Sequence, residues 1–267
     1  MRAVLRGDAP LAVTVVGAIR GGDVDALRRL LRDHPDLAMA RIGDAPGNGG
    51  ARSRTLLHIA TDWPGHFPNG PATVVVLTAA GADVNARVAG PDSETPLHWA
   101  ASSDDVDVLD ALIDAGADIE APGAVIAGGT PLDDAVAFGQ WRAAHRLVER
   151  GARTAVWHAA ALGLLDRVEA HFAGSPLPGA YPWGATSDAP PDELTVAFWC
   201  SCHGGQRPVA EYLLGRGAPL DWLSVWDGLT PLDAARREGH DGLATWLRTD
   251  GARSADEVAA SRDEDTP

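Results

Sequence analysis

Thr95-Pro96-Leu97-His98-Trp99-Ala100-Ala101, followed by Gly116-Ala117-Asp118-Ile119-Glu120, is the stretch on which the fold turns. Threonine suits the cap of a helix, because its hydroxyl accepts from the unpaired amides of the first turn. Proline directly after it has no helical hydrogen bond to lose. Val106, Val108, Leu109, Leu112 and Ile113 then recur at helical spacing. Gly116 suits the left-handed residue that closes such a helix. The 21 residues from Thr95 to Gly116 hold two short helices joined by a tight turn.

The same pair of phrases recurs along the chain. Threonine-led hexads stand at Thr55–Ala60, Thr130–Ala135 and Thr230–Ala235, with weaker copies at Thr154–Ala159 and Thr195–Cys200. Closing glycines follow at 81, 151, 174, 217 and 251. The span from threonine to glycine is 21 residues at 130–151 and 230–251, 22 at 195–217 and 20 at 154–174. It is 26 at 55–81, where Trp63–Gly70 is inserted. By contrast, the span from glycine to the next threonine varies from 3 to 21 residues. Loops vary while a helical pair of constant length is retained.

These phrases resemble the ankyrin repeat, whose signature contains Thr-Pro-Leu-His-x-Ala at a period of about 33 residues. Leu11–Ile19 with Gly21–Leu31 is similar to an N-terminal capping repeat. The resemblance implies an all-α ankyrin-repeat solenoid of about seven helix–turn–helix units with short β-turn tips. The domain would run over 11–253, with a capping repeat at 11–40 and repeats beginning near 55, 95, 130, 154, 195 and 230. Insertions fall at 62–70 and 175–194, a Gly-rich linker at 41–54, and at 254–267 an acidic, flexible tail that reads as a solvated, frayed end. Departures from the pattern are Asp133, Trp157, Phe198 and Asp233 in place of the family's histidine, and Leu56, Ala155 and Val196 in place of its proline.

Composition narrows the function. The chain has 267 residues, with 22 basic and 37 acidic ones and a formal net charge of −15. That field repels phosphate backbones, and no run of basic residues offsets it, so nucleic acid is not an expected partner. No segment approaches the roughly 20 apolar residues that span a bilayer. Met1–Asp8 lacks the basic and apolar stretches of a signal peptide. Two cysteines, Cys200 and Cys202, make no disulfide framework. The expectation is therefore a cytoplasmic monomer. The absence of lysine points to a GC-rich genome, in the manner of ankyrin-repeat proteins of high-GC bacteria.

Cys200-Ser201-Cys202-His203 is the one cluster with metal-type side chains. It offers three ligands where a structural zinc site needs four, and its cysteines are spaced too closely. Cys200 aligns with Ala60, Ala100 and Ala135 and reads as a small packed residue. Cys202 and His203 align with Ser102 and Ser103, where the resemblance implies exposure on the binding face and leaves a reactive thiol open. His58 and His98 read as structural, bonding the repeat turn and its neighbour. Asp133 and Asp233 read as local caps, and the pair Asp133-Asp134 as capping or solvated. Trp99, Trp157 and Trp199 read as packing between repeats; Trp63, Trp183, Trp222 and Trp226 fall in loops, where exposed aromatics mark recognition surfaces. No nucleophile elbow, P-loop or dinucleotide fingerprint occurs, and neither catalysis nor a cofactor is expected.

The resemblance implies a protein partner on the concave face, at the residue before each threonine and at those seven and eight after it. From these positions, with Trp226 beside them, come Arg54, Trp63, Glu94, Ser102, Ser103, Phe138, Cys202, His203, Trp226 and Arg237. A non-catalytic scaffold is the leading expectation; the same surface would serve a regulatory or inhibitory subunit of an enzyme or transporter. A metal or redox sensor at Cys200, Cys202 and His203 stands behind both.

Overall fold

The structure, a computed structural model, describes residues 4–43, 53–89, 93–126, 128–177 and 191–264. The chain divides into two compact units, residues 1–152 and 153–267.

The first unit is a stack of four helical pairs: α1 (Pro10–Arg20) with α2 (Val24–Asp33), α3 (Leu56–Ala60) with α4 (Gly70–Ala79), α5 (Pro96–Ser102) with α6 (Val106–Asp114), and α7 (Pro131–Ala137) with α8 (Trp141–Glu149). The first helices pack in one file, α1–α3–α5–α7, and the second in another, α2–α4–α6–α8. Val15, Ile19, Leu27, Leu57, Leu77, Leu97, Leu109, Leu112, Leu132 and Leu147 are buried between the two files. Before the second pair lies a short sheet that the periodicity did not announce. β1 (Val4–Arg6) pairs in parallel with β2 (Arg41–Gly43), and β2 pairs antiparallel with β3 (Ser53–Thr55). Strands thus occupy both ends of what reads as a Gly-rich linker; its residues 44–52 lie outside the described ones.

The second unit contains α9 (Val156–Ala161) with α10 (Leu165–Phe172), α11 (Glu193–His203) with α12 (Arg207–Gly215), α13 (Pro231–Arg237) with α14 (Asp241–Thr249), and α15 (Ala255–Glu264). Its core includes Val156, Val168, Phe198, Val209, Leu213, Leu232, Leu243 and Leu247.

Helix ends behave as their residues require. The backbone N–H of Ala117 bonds the carbonyl of Leu112 at 2.9 Å and that of Gly116 bonds Ile113 at 2.9 Å, the double closure of a Schellman motif. The same two bonds recur at residues 81–82, 151–152, 174–175, 217–218 and 251–252. Gly174 is therefore the equivalent glycine of its repeat. At the start of each pair the register is less uniform. The fourth repeat caps at Ala155, one residue later than Thr154, and puts His158 in the histidine position that Trp157 had been assigned. In the next, α11 begins ahead of Thr195: Asp192 Oδ1 accepts the Thr195 N–H at 2.8 Å and becomes the cap.

The acidic tail is largely helix rather than a frayed end. Ser254 and Glu257 form a reciprocal cap, with the Ser254 N–H donating to Glu257 Oε2 at 2.7 Å and the Glu257 N–H to Ser254 Oγ at 3.4 Å. The Ala255 N–H donates to Asp233 Oδ2 at 2.7 Å, and Val258 is buried. Residues 265–267 lie outside the described ones, as do 178–190 of the Pro- and Gly-rich insertion, Trp183 among them.

Candidate binding hollow of the first unit

The histidine and aspartate of each hexad set the geometry of the first helices. His58 Nδ1 accepts the Thr55 N–H at 3.3 Å, and its Nε2 lies 3.1 Å from the Glu94 carbonyl of the following repeat. His98 does the same, from Thr95 N–H at 3.1 Å to the Gly129 carbonyl at 3.4 Å. Because Nδ1 accepts, the ring proton sits on Nε2 and donates onward. Asp133 Oδ2 replaces the imidazole by accepting the Thr130 N–H at 2.6 Å. Each side chain clamps its own turn, and the two imidazoles also bond the next repeat. The ends of α3, α5 and α7 therefore lie in register.

That register brings the residues seven and eight places after each threonine together. Thr61, Asp62, Trp63, Glu94, Trp99, Ser102, Ser103, Val125 and Phe138 line one hollow of about 300 Å³. Its rim is apolar and open: Trp63 is 81% exposed, Val125 50% and Phe138 47%. Its floor includes Trp99, half-buried, whose indole Nε1 donates to Glu94 Oε2 at 3.0 Å and whose ring meets His58 edge-on at 5.0 Å. Trp99 is thus a wall of the hollow as well as a packing residue.

The Trp63 loop is pinned on both sides. The His66 N–H donates to Asp105 Oδ2 at 2.7 Å, and His66 Nε2 lies 3.0 Å from the Ser103 carbonyl. Asn69 Nδ2 donates to the Gly22 carbonyl at 2.9 Å. An exposed indole on so restrained a segment loses little entropy when it is covered.

The polar residues of the hollow are differently employed. Ser102 Oγ donates to the His98 carbonyl at 2.9 Å and Ser103 Oγ to the Trp99 carbonyl at 2.7 Å, so both hydroxyls turn back onto their own helix. Asp62 accepts from Arg20 Nη2 at 2.6 Å and from Arg54 Nη1 at 2.9 Å. Asp134 was expected to be capping or solvated, and the structure corrects this: it is fully buried. It occupies the hexad's fifth position, as Ile59 and Trp99 do, and that position faces inward. Burial first and the neighbouring Glu94 second raise its carboxyl to about 8. Burial and the nearby Glu94 together favour the protonated form of Asp134.

Of the ten residues assigned to partner binding, Trp63, Glu94, Ser102, Ser103 and Phe138 meet in this hollow, and Arg54 stands beside it through Asp62. Val125 was missed; it lies in the variable segment between α6 and α7, where no repeat pattern applies.

Cys202, His203, Trp226 and Arg237 belong to the second unit. The expected exposure of Cys202 and His203 is corrected: both are buried. α11 is packed against α9, α12 and α13, and Arg237 and His240 both come against His203, so these side chains stay covered. Burial pushes the Cys202 thiol up to about 12 and raises that of Cys200 as well, which holds both as inert thiols near neutral pH. Among the described residues no group of three or more His, Cys, Asp or Glu side chains is placed to hold a metal ion. Trp226 is half-buried rather than an exposed loop residue, edge-on to Trp199 at 4.7 Å and to Trp222 at 5.4 Å. Arg237 lies over the Trp199 ring at 5.9 Å, bonds Asp227 at 2.7 Å and Glu238 at 2.9 Å, and comes within 3.3 Å of His203 Nδ1. Hydrogen bonds from His203 and then Arg237 lower the Glu238 carboxyl to about 2. This cluster is internally satisfied, whereas the hollow of the first unit opens onto solvent.

No helix among the described residues is long and apolar enough to cross a membrane. Residues 68–158 match the family model of ankyrin repeats, in three copies. No curated protein matches the chain.

Proposed function

We propose that the chain, whose residues 68–158 match ankyrin repeats, modules of protein–protein interaction, is a non-catalytic scaffold whose first unit holds a segment of a partner protein in the hollow between Trp63, Trp99, Val125 and Phe138. The observation that carries this reading is Trp63, 81% exposed at the rim of an apolar hollow on a loop pinned to the neighbouring repeats. Exposed apolar clusters rimmed by polar groups mark interaction sites, and an indole in such a place is a typical energetic anchor. Three successive helix ends contribute to the hollow, so it exists only when the repeats are stacked.

The test is a cross-linking capture from the native cell, with wild type, Trp63→Ala/Phe138→Ala and Trp222→Ala compared after checking that all three melt alike. The double substitution is expected to lose a partner that wild type and Trp222→Ala both retain. Retention of every partner by the double variant sinks the reading.

A further inference from the structure

We propose that Asp134 and Glu94 form a proton-dependent latch behind the hollow, which fixes the Trp99 wall while the two carboxyl groups share a proton and frees it once that proton is lost. The latch is a property of the free protein; its effect on docking rests on the binding reading above.

Asp134 is fully buried. Its Oδ1 accepts the Ile126 N–H at 3.4 Å, directly after Val125 of the rim. No N–H or hydroxyl among the described residues bonds its Oδ2. Its other partner is the side chain of Glu94, hydrogen-bonded to it. An ionised carboxylate only accepts, so a bond between two carboxyl groups exists only while at least one proton remains on the pair. Glu94 in turn accepts the Trp99 indole N–H at 3.0 Å. The contacts therefore run from the rim through Asp134 and Glu94 to the indole.

The neighbouring charges are otherwise engaged. α7 packs against α5 and α8. On α7 itself, Asp133 is held by Thr130 and adds a second repulsion. On α5, His98 is bound between Thr95 and Gly129. On α8, Arg142 and Arg146 pair with Asp104 and Asp110, and His145 is exposed. Around Glu94, His58 bonds its carbonyl, Arg87 the Ser93 carbonyl and Arg54 Asp62. Burial first and Glu94 second raise the Asp134 carboxyl to about 8, and such a pair titrates as a unit. Once the last proton leaves to solvent, two like charges in contact repel. Asp134 is enclosed, whereas Glu94 is half-buried and has solvent to move toward, taking the acceptor from the Trp99 N–H.

The experiment follows the indole N–H resonances of the full chain from about pH 6 to about pH 10, with Trp99 assigned by Trp99→Phe. The Trp199 indole, bonded to the Leu229 carbonyl in the second unit, is the internal control. In wild type the Trp99 signal is expected to move with a midpoint near 8 while Trp199 stays still. Asp134→Asn, neutral at every pH and still a donor to Glu94, is expected to hold Trp99 at its low-pH position throughout. Glu94→Gln, whose amide accepts from Trp99 and donates to Asp134, is expected to do the same. A Trp99 signal that does not move in wild type overturns the latch, as does a transition that persists in either variant or one that Trp199 shares. Capture of a partner is expected to fall several-fold from pH 7 to pH 9 in wild type and to hold in both variants. Equal recovery at the two pH values overturns the link to docking. If no partner is captured at all, the docking reading falls, and the indole signals still decide the latch.

Discussion

At the scale of the residue, the histidines of the hexads hold the repeats through hydrogen bonds that only a neutral imidazole can make. Protonation of Nδ1 would turn the acceptor of the Thr55 or Thr95 N–H into a donor facing a donor. Burial, the largest cause, accordingly lowers His58 and His98 to about 4, from an ordinary value of 6.5. The unfolded chain takes up these protons near 6.5 and the folded one only near 4. Stability is therefore full above 6.5 and lost as pH falls through the window down to about 4, at about 1 kcal/mol per pH unit for each histidine. Urea denaturation at pH 7 and at pH 5 checks this. His58→Asn is expected to lower stability at pH 7 and to flatten the acid slope. The structural role of these histidines is legible in the hexad itself, since the cap and the ring are three residues apart. The burial of Cys202 and His203 is not, because it depends on what the neighbouring helices bring against α11.

At the scale of the element, each helical pair is bounded by signals that act within a few residues, and those signals are legible. What the neighbouring pair demands is less so. Gly204 has an ordinary helical backbone, yet a Cβ there would lie 1.9 Å from the carbonyl oxygen of Ala161. Its need for glycine comes from the close approach of α11 to α9. Gly204→Ala is expected to destabilise the protein by about 2 kcal/mol or more, because the main chain of α9 must move. Gly17→Ala in α1, exposed and with nothing near its Cβ, is expected to stabilise by about 0.5–1 kcal/mol. Urea midpoints of the two variants would lie on opposite sides of wild type; midpoints on the same side contradict the packing account. The sheet and α15 were the elements least visible in advance. Three-residue strands carry too little periodicity to register, and the Ser254–Glu257 cap sits in a stretch whose acidity masks its helical character.

At the scale of the whole molecule, net charge acts over distances that single contacts do not reach. With −15 on 267 residues, association with a basic partner segment should be steered by the protein's field and screened by salt. Recovery of such a partner is expected to fall several-fold between about 0.05 and 0.5 M salt, where the screening length shrinks from above 10 Å to below 5 Å. Recovery of a partner held by apolar contacts alone should hold or rise over the same range. Repeating the capture across that range distinguishes the two, and recovery that does not change with salt would remove the electrostatic part of the account.

The repeats, their caps, their closing glycines and five of the residues that meet in the hollow follow from the sequence by itself. Each depends on a pattern a few residues long that recurs at a constant span, and like positions in stacked repeats must become neighbours. Only the tertiary structure decided which of those positions remain open to a partner. Ser102 and Ser103 spend their hydroxyls on their own helix, Cys202 and His203 are covered, and Trp99, expected as packing alone, forms a wall. The difference is physical: helix signals are local, whereas exposure depends on the side chains that neighbouring repeats bring against a residue.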